Sequence, residues 1–250
     1  MDYHERIYRE RFDTEERFFF IVSHKQTDLW IGVDMESYVD SMPNYALRLV
    51  TELRDHMDKY LQEDSEYETS LEPYSAAKGA PEIMQLMSKA SHSAGIGPMS
   101  AVAGAVAQNV AVALKNKFRI KEIIVENGGD IYVESLSDLD VSVFAGGSPL
   151  SERVGLRIPA NAFPLGICTS SGTVGPSFSF GKADAVMIVC RDVLLADSYA
   201  TAMANLIQTV EDIPLVIEMI KNKEEILSAI IIKDDKMGVA GKFRLKIFKI

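Results

Sequence analysis

The segment LLADSYATAMANLIQTV, Leu194–Val210, restricts the architecture more than any other stretch. Read as a helix it is apolar nearly all round, and such a helix has to be covered on every side, so the fold must be layered around it. Asp197, Thr201, Asn205 and Gln208 break the apolar pattern at spacings of four, four and three, which puts them in one narrow stripe. A buried carboxylate is costly unless a cation, a metal or strong donors meet it. The stripe is therefore expected to look onto a site.

A second segment is expected to share that interior. Gly95–Leu114, GIGPMSAVAGAVAQNVAVAL, is almost entirely Gly, Ala, Val and Ser after a Gly-Pro start. It reads as a helix with no bulky side chain on any face, so another backbone or a flat ligand can come close. Tight packing between layers explains it. A complementary reading has its first residues, with Gly97, Met99 and Ser100, offering amide N–H groups and a helix dipole to an anion such as a phosphate. The pattern is neither a Walker loop nor GxGxxG.

Two further stretches carry polar chemistry between strand-like runs. Asn127-Gly128-Gly129-Asp130 sits inside EIIVENGGDIYV. Asn-Gly is a strong hairpin signal, but paired glycines also let a backbone approach a ligand, and Asp130 can accept from a ring N–H or a ribose hydroxyl. Ile167–Val189 runs strand, loop, strand, and its loop holds Thr169, Ser170, Ser171, Thr173 and Ser177 with three glycines, Gly172 among them. An ordinary Ser/Thr loop remains the plain alternative. Lys182 and Asp184 either pair or face solvent. His4, His24, His56 and His92 all fall in the first 92 residues without metal-ligand spacing.

The remaining pattern sets the fold class. Arg17–Val33 reads as a hairpin about HKQTD. Pro43 opens an amphipathic helix with Leu47, Val50, Met57 and Leu61 inward and Asp40 or Ser41 as caps. Gln62–Pro73 reads as a solvated acidic loop, and Pro81 starts a helix to about Ser91. After a short helix at Pro214–Lys223, ILSAIIIK and FRLKIF read as a hairpin around DDKMGVAGK. Strands bracket helices without regular βαβ alternation, so the expectation is an α+β fold, a mixed, largely antiparallel sheet packed with buried helices. One domain over 1–250 is expected, with sub-lobes at about 1–75 and 76–250.

Composition narrows the partners. The balance of 36 acidic against 26 basic residues leaves a net charge of −10, which opposes binding to a phosphate backbone. No nucleic-acid role is expected. Cys168 and Cys190 are too few for a disulfide framework and point to a reducing compartment. The charged start MDYHERIYRERF has no signal core, and no run of about 20 apolar residues suggests a membrane span. The expected setting is cytoplasmic.

GPMSAVAGA, VENGGDIYV, TSSGTVGPSFSFGKADAV and LLADSYATAMAN, in that order, together resemble a short, poorly characterised cytoplasmic branch of the ApbE-like superfamily, best known for FAD:protein FMN transferases. The resemblance spans about residues 15–250 and implies that fold. It implies a flavin nucleotide, FAD or FMN, lined by Asn127, Gly128, Gly129 and Asp130 and by Thr169, Ser170, Ser171, Gly172 and Thr173. It implies Mg²⁺ held by Asp197 and Thr201 against the pyrophosphate, with a protein partner and a supporting role in anaerobic sulfur assimilation into homocysteine. The chain departs from the full transferases between Thr173 and Ala185, where their catalytic histidine and Asp-Pro are missing, and it has Pro176 where the short branch carries a histidine. The transferases' lysine-glycine motif is also not evident in GIGPMSAVAGA. Two functions follow: flavin-nucleotide binding with a divalent metal but without full transfer, and Mg-dependent flavin transfer. An accessory protein without flavin is the third reading.

Overall fold

A computed structural model describes residues 17–173 and 180–249; the amino-terminal stretch with His4, and Pro176 and Ser177 of the Ser/Thr loop, lie outside them. The first strands are β1 (Arg17–His24), β2 (Thr27–Asp34), β3 (Ile123–Asn127) and β4 (Asp130–Glu134). They are followed by β5 (Leu139–Ser142), β6 (Val154–Ile158), β7 (Leu165–Ser170) and β8 (Ala185–Cys190). The last are β9 (Ile226–Lys233), β10 (Lys236–Gly241) and β11 (Arg244–Ile247). The helices are α1 (Met42–Glu63), α2 (Ser65–Thr69), α3 (Glu82–Ala94), α4 (Val102–Phe118), α5 (Val193–Asn205) and α6 (Ile213–Lys221).

Eight strands form one sheet in the order β1-β2-β3-β4-β7-β8-β9-β10, and a second sheet has the order β11-β6-β5. Each neighbouring pair described is antiparallel. The expected α+β class with a largely antiparallel sheet is what the chain adopts. Strand alternation divides the large sheet's side chains between two cores. Leu29, Ile31, Val125, Cys168 and Ile188 face the helices, while Ile124, Val133, Ile167, Val189 and Ile230 face the second sheet. Helices, large sheet and small sheet thus form three layers.

Within the helical layer, α4 owes its place to its small side chains. Ala105, Ala107 and Ala111 are all 0% exposed, so the helix backbone lies close to its neighbours. Its partner α5 begins with two caps. The Asp192 side chain accepts from the N–H groups of Leu194 and Leu195, and Gln108 of α4 accepts from Val193 N–H at 2.9 Å. Among the described residues no single helix is long and apolar enough to cross a membrane; α3 and the run Pro98–Phe118 meet at 106°.

Several expectations are corrected. The acidic stretch after α1 contains α2, whose Tyr67 is fully buried and donates to Met84 O at 2.7 Å. Asp64 caps that turn by accepting from Tyr67 N–H, so a segment that looks solvated is tied down by one aromatic anchor. Leu47 of α1 is 41% exposed, and Ala46 takes the inward position instead. At Ser41 no side-chain cap forms. The expected carboxy-terminal hairpin is also rearranged. ILSAIIIK pairs with KMGVAG, not with FRLKIF, which joins β6 in the second sheet. Gly238, which falls in the stretch expected to turn, sits in β10 and makes room for Ile213 and Ile217 of α6.

Candidate functional site

The helix of the polar stripe is shorter than its sequence pattern. It ends at Asn205, so Asp197, Thr201 and Asn205 lie on α5 while Gln208 falls in the turn beyond it. The end is fixed from outside: Lys182 N–H donates to Ile207 O at 2.6 Å, and a capping box at Thr209 and Asp212 starts the next turn.

Asp197 is 6% exposed and meets α4 head on. Its Oδ2 accepts from the backbone N–H of Gly104 at 2.8 Å. The α-helical run starts only at Val102, after a 3-10 turn over Pro98–Ala101, so Gly104 lies in the first helical turn. The anion at this helix start is the chain's own carboxylate, and of the amides expected to await a phosphate that of Ser100 donates to Gly97 O at 3.2 Å. Gly104 is what lets the two helices touch: a Cβ there would lie 2.9 Å from Val193 O and 3.1 Å from the Cβ of Asp197.

No other hydrogen bond and no ion pair reaches the Asp197 carboxylate among the described residues. Burial pushes the carboxyl up to about 7, and the Gly104 N–H offsets part of that. Cys168, on the adjoining strand, is driven well above the ordinary thiol range by burial and then by the charges of Asp130 and Asp197. Its Sγ lies 3.6 Å from Val193 O, and it is opposite Asp130 in the β4–β7 register.

The Asn127-Gly128-Gly129-Asp130 turn joins the same cluster. Gly128 and Gly129 have φ of 70° and 105°, the left-handed values that a tight two-residue hairpin turn requires. The glycine pair is therefore explained by the hairpin itself. Asn127 Nδ2 donates to Ala103 O at 3.0 Å, so the turn grips the start of α4 one residue before Gly104. Gly129 N–H donates to Glu126 at 2.8 Å, and Gly129 O accepts from Thr169 N–H at 3.3 Å. A Cβ on Gly129 would meet nothing nearer than Thr169 O, at 3.5 Å, so its outer side is open. Asp130 is 9% exposed.

The other expected residues divide between two directions. Ser100 donates to Gly97 O at 2.7 Å and its Oγ is 3.2 Å from Ser198 Oγ, next to Asp197. Gly97 is pressed against the backbone of Ser70, and Met99 packs on the helical core. Thr169 and Ser170 end β7 and are half-buried. Beyond them the loop turns away: Gly172 N–H donates to Ala183 O at 2.9 Å, Thr173 N–H to Ser171 Oγ at 3.1 Å, and Thr173 Oγ1 to Asp184 at 3.1 Å. Asp184 also accepts from Asp234 N–H, at 2.5 Å, in place of a partner at Lys182. Thr173, Asp184, Ser148, Asp234 and Asp235 border a cavity of about 560 Å³ between the β9–β10 turn and the second sheet.

Sequence reasoning missed Gly104, Gln108 and Ser198. A glycine inside an otherwise alanine-rich helix costs about 1 kcal/mol against alanine, and that penalty was the available sign that something must approach there. No cluster of three or more His, Cys, Asp or Glu side chains suited to a metal occurs among the described residues. Any cation here would be held by Asp197 with a hydroxyl and non-protein oxygens, a set that suits Mg²⁺, which keeps water and phosphate ligands.

Buried helices behind an antiparallel sheet are also the architecture of solved flavin transferases. The flavin transferase ApbE from Vibrio cholerae superposes with a TM-score of 0.57 at 13% identity, covering 90% of this chain and 96% of that one. The Pseudomonas stutzeri flavinyl transferase ApbE in its apo form gives 0.57 at 11%, over 92% and 96%. At those identities the likeness is one of fold. The family model described as "AbpE bacteria" matches residues 9–219, and the chain belongs to that family. Proteins named UPF0280 are similar over most of its length. The one from Methanocella arvoryzae is 37% identical over 79% of this chain and 80% of its own, and the one from Methanosarcina acetivorans 36% over 87% and 84%.

Proposed function

We propose that this protein binds a flavin nucleotide together with a divalent cation at the Asp197 end of α5, and holds it without transferring FMN to a protein. The observation that carries the reading is Asp197 itself, a carboxylate 6% exposed that has one backbone donor and no basic partner among the described residues. Such a group wants a cation. Thr201, half-buried one turn further along the helix, offers a neutral oxygen to the same ion. The cation, when bound, neutralises the phosphates of the nucleotide.

The chain's own groups then have separable tasks. Gly104 N–H fixes one oxygen of Asp197 and leaves the other to the cation. Asn127 ties the start of α4 to the Gly128-Gly129 turn, whose open side lies beside Thr169. Holding without transfer is favoured by the sequence between Thr173 and Ala185, which has no histidine. A protein partner and a role in sulfur assimilation are supported by the family resemblance, and a cytoplasmic setting by that resemblance together with the two unpaired cysteines Cys168 and Cys190.

An absorbance scan and mass spectrum of the purified protein, followed by melting curves with FAD or FMN and with or without Mg²⁺, tests this. The expected result is a flavin-dependent rise in melting temperature that Mg²⁺ enlarges and that Asp197→Asn removes. No response to either nucleotide with Mg²⁺ or Mn²⁺ would overturn it. Release of AMP from FAD in the presence of a protein acceptor would replace holding by transfer.

A further inference from the structure

We propose that Phe180 is the platform on which a planar ring of the bound nucleotide stacks, an inference that rests on the nucleotide reading above. Phe180 is 64% exposed, the highest value for an aromatic side chain among the described residues, with Phe144 next at 46%. Single exposed apolar side chains are common, so exposure alone says little. What sets Phe180 apart is how firmly its backbone is held. Its N–H donates to Asn205 Oδ1 at 2.9 Å, and its carbonyl accepts from Gln208 Nε2 at 2.9 Å. The next residue, Gly181, is packed so closely on α5 that a Cβ would collide with Ala204 O.

Two side-chain amides and a glycine contact thus fix a backbone whose own side chain buries little. The ring gains almost nothing for folding where it stands. Asn205 continues the stripe of Asp197 and Thr201 and lies eight residues, about 12 Å, beyond Asp197 along the helix. A nucleotide whose phosphates meet a cation at Asp197 has a ring at a comparable distance, separated by a sugar or a ribityl chain. A rigidly based, solvent-facing aromatic is what a planar heterocycle stacks on, and such a contact tolerates either ring type.

Calorimetry with FMN, ADP and inorganic pyrophosphate, each with Mg²⁺, on the full-length protein and on Phe180→Ala decides it. The expected result is at least about fivefold weaker binding of FMN, of ADP, or of both. Pyrophosphate, which has no ring, keeps its affinity, and the urea midpoint is unchanged. Phe180→Trp restores binding, and Asn205→Ala, which frees the backbone, reproduces part of the loss. A flavin ring is indicated if FMN alone weakens, an adenine ring if ADP alone does. Unchanged binding of both by Phe180→Ala overturns this inference and leaves the nucleotide reading standing. Loss of pyrophosphate as well also overturns it, because the loop and not the ring was then disturbed. A parent protein that binds neither FMN nor ADP overturns both.

Discussion

The two ends of α5 put similar side chains to opposite uses. At its carboxy-terminal end Asn205 and, just past the helix, Gln208 are engaged with one backbone unit, the N–H and C=O of Phe180. At the other end Asp197, more deeply buried and charged, has a single N–H for company. Polar residues in an apolar helix therefore belong to one of two classes, and their hydrogen bonds tell which. A satisfied group holds the fold together. An under-satisfied one stores a cost that a ligand relieves.

The largest effect expected from that contrast is a pH dependence confined to the Asp197 end. The unfolded carboxyl titrates near its ordinary 3.8 and the folded one near about 7. Between those values the folded protein binds more protons than the unfolded chain, so the stability present below about pH 4 is lost as pH rises through about 7. The full difference is on the order of 4 kcal/mol. In the presence of chelator, urea midpoints should fall between pH 5 and pH 8 for the parent. Asp197→Asn should flatten that slope, and an unchanged slope in this variant would assign the effect to another group.

Next in size is Gly104→Ala, whose Cβ would press on Val193 O and on Asp197. It should cost about 1–3 kcal/mol by urea unfolding and blunt the response to Mg²⁺ at the same time. A variant as stable as the parent would mean that the helices separate easily. At the satisfied end, Asn205→Ala should cost about 1 kcal/mol while leaving the response to Mg²⁺ with pyrophosphate, which has no ring, intact. A lost magnesium response there would break the division between the ends. The smallest change is expected for Thr201→Val, with stability within about 0.5 kcal/mol of the parent and only a partial loss of the magnesium-dependent rise in melting temperature.

Much of the frame was legible because it follows from local periodicity. The hairpins at Lys25-Gln26 and Gly128-Gly129 and the buried helices α4 and α5 repeat patterns that neighbouring residues set by themselves. Where local pattern misled, burial had the last word: Tyr67 anchors an acidic stretch, and Gly238 sits in a strand under α6. The second sheet was not legible as a sheet: β5 and β6 are short, and FRLKIF, which reads as a strand, supplies β11 to β6 from nearly the end of the chain.

The sequence by itself determined that an antiparallel sheet is packed on buried helices, that Asn127 to Asp130 turn a hairpin, and that a carboxylate at 197 is buried among apolar residues. These follow from side-chain spacing, charge and turn chemistry, which act over a few residues. Only the tertiary structure decided that Gly104, 93 positions earlier, meets that carboxylate, and that Ser171 to Thr173 turn from it toward Asp184. It also decided that Asn205 and Gln208 spend their amides on Phe180. Contacts between residues so far apart depend on how whole elements pack, because helix-on-helix approach is set by the absence of a Cβ at one point and by layers that no local pattern encodes.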